Sequence, residues 1–205
     1  MRDEFITSLE ANQTLFDVEL SAASIELLAD YYKLVHDHNP ILHLVGPCSP
    51  SEFATRHILE SLTLLEHLPV NTKFADVGTG AGLPSIPCLI AREDLTAILI
   101  ESKEKKTKFL EEAVEKLGIK DRVAIVARQF EEADADDTTV VTCRALDKFA
   151  DKLPKLLRWS KSRRKLFFGG ENLNEALTKN KLKFQQKLMP LSERRYLFII
   201  EDWSS

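Results

Sequence analysis

The stretch FADVGTGAGLPSIP, from Phe74 to Pro87, sets glycines at 78, 80 and 82 directly after an apolar run that carries one acid, Asp76. Glycine at alternate positions lets a chain turn sharply and bring its backbone against a bound molecule with no Cβ in the way. Such a loop leads from a strand into a helix, and a nucleotide or nucleoside is its expected guest. Asp76, Gly78, Gly80 and Gly82 are therefore candidate cofactor-binding residues. A second acid, Glu101, stands 23 residues beyond Gly78 at the end of the next apolar run, LTAILIE. A carboxylate there accepts hydrogen bonds from both hydroxyls of a ribose.

The spacing narrows the guest. G-x-G-x-G departs from the dinucleotide fingerprint G-x-G-x-x-G, and Leu83-Pro84 follows where a dinucleotide site offers open helix N–H groups to a pyrophosphate. No G-x-x-x-x-G-K-[ST] occurs, which excludes a P-loop. A ribose held without a pyrophosphate clamp points to S-adenosylmethionine. The same spacing, with no acid suited to a hydride site, disfavours a nicotinamide oxidoreductase.

These residues need a scaffold, and the chain supplies an alternating one. Strands are expected at Lys73 to Val77, in LTAILIE, RVAIVA and TTVVTCRA, and later in KLFF and YLFII. Helices are expected at Ser85 to Arg92, in KEKKTKFLEEAVEKLG, from Lys148 to Ser160, and from about Leu173 to Lys183. Strands alternating with helices predict an α/β fold with a doubly wound, largely parallel sheet. A helical prelude precedes it. Ile25, Leu28, Tyr32 and Val35 predict an amphipathic helix from Ser21 to about Asp37, which HNPILHLVGPCSPS should break. A second helix from Ser51 to Leu68 sets Ile58, Leu62 and Leu65 on one face and His57, Ser61 and Leu64 on another, making His57 a catalytic candidate. The 205 residues fit one domain, with residues 1–70 as prelude and 71–205 as core.

With 44% hydrophobic and 29% charged residues the chain has the composition of a globular protein and no apolar run of membrane-spanning length, and the acidic opening MRDEFITSLEANQ is not expected to act as a secretory signal. A cytoplasmic monomer is expected. Cys48, Cys88 and Cys143 lack a C-x-x-C spacing, and the cluster of His36, His38 and His43 has no completing acid or cysteine, so neither disulfides nor a metal are expected. The net charge of −4 conceals an asymmetry. Between Lys148 and Lys187 there are 12 Lys and Arg against 3 Asp and Glu, a local +9 that leaves −13 elsewhere. A basic segment in an acidic chain is either a footprint for phosphates or a set of solvated helix faces; on the first reading Arg158, Arg163, Arg164 and Lys165 are its candidate contacts, with Trp159 as a stacking surface should the partner be RNA.

Several separated stretches agree with one family. RHILESL (Arg56 to Leu62), DVGTGAGLPSIP (Asp76 to Pro87), LIESKEKKTKFL (Leu99 to Leu110) and VVTCRAL (Val140 to Leu146) make the chain resemble ribosomal RNA small subunit methyltransferase G, also called glucose-inhibited division protein B. The resemblance runs from about Ile25 to Ile200. It implies a Rossmann-like enzyme that uses S-adenosylmethionine to methylate N7 of one guanine in 16S rRNA, on free RNA or the small ribosomal subunit. It also implies that Gly78 and Leu83 line the cofactor, that Arg144 lies beside it as a second catalytic candidate, and that Gln129 and Phe130 hold the adenine.

The chain departs from the family pattern twice. His43, Leu44 and Val45 stand in place of an Asn-Leu-Thr segment, and Gly169-Gly170 in place of a Lys-Gly pair. Those changes keep two alternatives open: a methyltransferase with a different substrate, or an RNA-associated protein that binds the cofactor without transferring its methyl group.

Overall fold

The computed structural model describes residues 1–135, 137–144 and 149–201. Helix α1 (Arg2–Asn12) packs its buried Phe5 and Leu9 against α2 (Ala22–Leu42), whose Ser21 side chain caps it by accepting from the Ser24 N–H. The α2 helix continues past Pro40, contrary to the sequence expectation. Pro40 lies in the last turn, and the helix closes three residues later, where His43 adopts a left-handed φ of 48° and donates its N–H to the Asn39 carbonyl. A proline so close to the end forfeits one bond without breaking the run.

The next helical segment is not the plain α-helix its periodicity suggests. It opens as α3 (Pro50–Glu52), with a reciprocal Ser49/Glu52 capping box, and widens into a π-helical stretch over Phe53–Leu59. It then resumes as α4 (Glu60–Leu62) and tightens into a 3-10 turn over Thr63–His67. π-Bulges are uncommon and concentrate at functional sites. This one carries Arg56 and His57.

The remainder alternates β1 (Lys73–Val77), α5 (Ser85–Ala91), β2 (Thr96–Ile100), α6 (Glu104–Lys116), β3 (Val123–Val126), β4 (Val140–Arg144), α7 (Phe149–Trp159), β5 (Arg164–Gly169), α8 (Glu171–Lys179), β6 (Gln185–Leu188) and β7 (Tyr196–Ile200). The strands form one seven-stranded sheet in the order β3-β2-β1-β4-β5-β7-β6. β1 to β5 run parallel, while β7 is antiparallel to both β5 and β6. Side chains alternate across the sheet. Phe74, Leu99, Val140 and Leu166 join the core shared with the prelude, α5 and α6; Ala75, Val77, Ile98, Val141 and Phe167 join the core under α7 and α8. β6 had no apolar pattern to announce it, because Gln185, Gln186 and Leu188 of this edge strand are exposed and pair through backbone alone. The expected start of α7 at Lys148, and Ala145 and Leu146 of VVTCRAL, lie outside the described residues.

Candidate functional site

Parallel strands deliver their succeeding loops to one edge of the sheet, and strand order reverses between β1 and β4. At that point a cleft of about 490 Å³ opens. Its floor is the glycine loop. The Gly78 N–H donates to the Ile100 carbonyl at 2.8 Å, and Gly78, Gly80 and Gly82 take φ of 68°, 59° and 91°, a region open to glycine and strained for other residues. Gly78, Thr79, Gly80, Ala81 and Leu83 line the cleft.

Two of the predicted binding residues act elsewhere. Gly82 faces inward, where a Cβ would stand 2.3 Å from Ile86 Cδ1. Asp76 is fully buried beneath the loop and accepts from Thr79 Oγ1 at 2.6 Å and Ser85 Oγ at 2.7 Å. It ties the loop down rather than forming the cleft wall, because its neighbour Val77 is the residue that lines the cleft at the strand end. Burial pushes its carboxyl up to about 7, against the pull of those two hydroxyls. From the prelude, Tyr31 Oη donates to the Ala81 carbonyl at 2.9 Å.

Glu101 stands at the carboxyl end of β2 with its side chain in the cleft, and it is 7% exposed. Oε2 accepts from the Gly80 N–H at 3.1 Å and Oε1 from the Lys103 N–H at 2.9 Å. A carboxylate offers about four acceptor positions, so two bonds leave capacity for ligand hydroxyls. Gln129 and Phe130, after β3, line the same cleft; Phe130 is also a core residue, its ring 5.9 Å from that of Trp159.

Arg144, at the end of β4, enters from the opposite side. Its Nη2 donates to the Glu60 carboxylate at 3.0 Å and to the Arg56 carbonyl, its Nη1 to Ser61 Oγ at 3.3 Å, and its guanidinium lies 5.3 Å over the Phe168 ring. Beside it on the cleft wall is His57, with Nδ1 buried and unpartnered among the described residues. Burial, then the positive charges of Arg144, Arg56 and Arg195, drive the imidazole down to about 3, so His57 is neutral at physiological pH. Ser61, expected beside His57, is fully buried and donates to the His57 carbonyl.

The four named residues of the basic segment stand away from the cleft, although Lys152 of the same segment lines it. Arg163 and Arg164 sit at the amino end of β5, away from the cleft: Arg163 Nε donates to the Thr138 carbonyl, and Arg164 binds the His67 carbonyl and Glu201. Lys165 is 6% exposed and donates to the carbonyls of Lys161 and Arg163. Trp159 is turned inward, its Nε1 donating to the Ala133 carbonyl. Arg158 is exposed in the last turn of α7, the end remote from β4. Besides Arg144, the cations that do line the cleft are Lys103, Lys106, Arg128 and Lys152. The signal for them was position in the chain. Lys103 and Lys106 follow β2, Arg128 follows β3 and Lys152 follows β4.

The two departures from the family pattern also have places. Leu44 and Val45 line the cleft, while His43 offers its carbonyl to Lys106 Nζ at 3.3 Å. A Cβ at Gly169 would stand 2.6 Å from Leu173 Cδ2, so Leu173 occupies the space a longer residue would need. Among the described residues no group of three or more His, Cys, Asp or Glu side chains could hold a metal ion, and no helix is long and apolar enough to cross a membrane.

Comparison with known proteins bears on this geometry. TrmK of M. capricolum, determined with the natural cofactor product S-adenosyl-homocysteine, superposes with a TM-score of 0.55 at 14% identity, over 70% of this chain and 67% of that one. The M1A22 tRNA methyltransferase TrmK of B. subtilis gives 0.53 at 18% identity, over 70% and 65%. At such identity the likeness is one of fold, and it confirms the Rossmann-like α/β architecture. Ribosomal RNA small subunit methyltransferase G of Pelotomaculum thermopropionicum is 39% identical over 113 residues, 54% of this chain and 47% of the relative. That of Neisseria meningitidis serogroup C is 33% identical over 143 residues, 70% and 69%. The chain spans about half to two thirds of the length of the curated relatives it matches. The sequence model described as rRNA small subunit methyltransferase G matches residues 24–193, a stretch that takes in the glycine loop, Glu101, Arg144 and every strand but the last, and the chain belongs to that family.

Proposed function

We propose that this protein is an S-adenosylmethionine-dependent methyltransferase acting on N7 of a guanine in 16S rRNA. The observation that carries the proposal is a buried carboxylate, Glu101, hydrogen-bonded to the Gly80 N–H of a positive-φ glycine loop at the sheet's switch point. That donor set fits a ribose bound without a pyrophosphate. Glu101 would accept from the ribose hydroxyls, Gly78, Gly80 and Leu83 would line the cofactor, and Gln129 and Phe130 would flank its adenine. When bound, S-adenosylmethionine supplies an electrophilic methyl group.

The rest of the work falls to the chain. Guanine N7 carries a free lone pair, so attack requires no base to remove a proton beforehand. Holding the reactants in line at near-attack distance is then the main catalytic task. A neutral His57 and a permanently charged Arg144 suit that task, since neither moves a proton near neutral pH. Lys103, Lys106, Arg128 and Lys152 around the cleft would meet RNA phosphates.

The test is transfer of labelled methyl from S-adenosylmethionine to undermethylated small ribosomal subunits and to their naked RNA, followed by mapping of the modified base. Label at one guanine N7 is the expected result. Cofactor binding without label on either substrate would refute it and favour a protein that binds the cofactor but does not act on this RNA.

A further inference from the structure

The cleft wall opposite Glu101 contains a charge arrangement that cofactor binding does not explain. Glu60, on α4, is 2% exposed, and its two carboxylate oxygens go to two different arginines. Oε2 accepts from Arg144 Nη2 at 3.0 Å and Oε1 from Arg195 Nε at 2.7 Å. Arg144 ends β4 and is itself mostly buried, with 12% of its side chain exposed; Arg195 directly precedes β7 in the connection from β6. One carboxylate thus joins the prelude, the centre of the sheet and its antiparallel edge.

We propose that Glu60 is the positioning residue of this site: it fixes the Arg144 guanidinium over Phe168 at the cleft, and Arg195 fixes Glu60 in turn. This rests on the methyl-transfer function proposed above. Arginine has a long, rotatable side chain, and a single ion pair leaves it several orientations. Here the Glu60 carboxylate, the Arg56 carbonyl, Ser61 Oγ and the Phe168 face define one plane. Because the reaction needs alignment rather than proton transfer, disturbing Arg144 should reduce turnover more than binding.

The experiment is a double-mutant cycle on the full chain. Glu60→Gln keeps the shape and removes the charge. It should lower kcat about tenfold or more while the KM for S-adenosylmethionine stays within about threefold. In an Arg144→Gln background the same change should alter kcat by less than about threefold, because Glu60 then has nothing left to position. An unchanged kcat in Glu60→Gln, or an undiminished loss in the Arg144→Gln background, would overturn the proposal. Should Glu60→Gln fail to fold, Arg195→Gln probes the relay from its more exposed end, where 33% of the side chain is accessible. A several-fold fall in kcat at unchanged cofactor KM is expected there, and wild-type turnover counts against the proposal. A second readout needs no turnover. In 15N-labelled protein the Arg144 Nε–H resonance should be sharp and should move or broaden in Arg195→Gln and Glu60→Gln. If the unaltered protein methylates no RNA, the function proposed above fails, and the restraint on Arg144 then stands or falls on those resonances.

Discussion

Tyr31 Oη donates to the Ala81 carbonyl at 2.9 Å with both groups buried, so a prelude helix holds the cofactor loop directly. Tyr31→Phe leaves that carbonyl without its donor. A buried acceptor so orphaned costs about 1–3 kcal/mol. Thermal unfolding should show a lowered Tm, and calorimetric titration with S-adenosyl-homocysteine a weaker affinity. Unchanged affinity would show that the loop holds its shape without the prelude.

Gly82 is fixed by packing rather than by the ligand. Its φ of 91° and the 2.3 Å separation between a Cβ and Ile86 Cδ1 both act against Gly82→Ala, together about 2–4 kcal/mol. The same change at Gly80 meets only the Gly78 carbonyl oxygen at 3.8 Å. Gly80→Ala should therefore fold better than Gly82→Ala in urea titrations, its cost confined to backbone strain and to the cofactor interface.

The RNA surface can be decided by charge removal. Lys103 and Arg128 are exposed at the cleft, whereas Arg163 and Arg164 are engaged by backbone carbonyls and Glu201 at the far end of β5. Lys103→Ala with Arg128→Ala should weaken binding to the small-subunit RNA and reduce the salt slope by about 0.7 for each phosphate no longer neutralised. Arg163→Ala with Arg164→Ala should leave both quantities near wild type. The reverse ranking would return the interface to the basic segment.

How far the sequence could be read depended on where each signal is stored. The glycine loop and Glu101 were legible because backbone approach and ribose recognition impose residue types at fixed spacing. Five interior strands were legible because burial on both faces demands continuous apolar runs. The π-bulge at Phe53–Leu59 was not, since widening a helix by less than one residue per turn leaves an apolar periodicity that still reads as helical. Neither was the Glu60 bridge, whose partners Arg144 and Arg195 lie 84 and 135 residues away and meet only through sheet order. That Arg163 and Arg164 stand at the amino end of β5, away from the cleft, was hidden for a related reason: a charge count along the chain does not record which end of a strand a residue occupies.

Two buried groups should leave opposite marks on stability as pH changes. His57 is lowered to about 3 from 6.5, so between those values the unfolded chain binds a proton that the folded one refuses. Its contribution is complete above pH 6.5 and is lost as pH falls toward 3. Asp76 is raised to about 7 from 3.8, so in that window the folded chain holds a proton that the unfolded one releases. Its contribution is complete below pH 3.8 and is lost as pH rises through 7. Each group alone gives a slope of about 1.4 kcal/mol per pH unit, and between pH 4 and 6.5 the two oppose each other. His57→Gln should therefore make stability fall more steeply, relative to wild type, as pH is raised from 4 to 6.5. Asp76→Asn should make it rise more steeply over the same range. Urea unfolding of the three proteins at pH 4.5, 5.5 and 6.5 reads both differences, and slopes displaced in the same direction would contradict the assigned ionisation of one of the two.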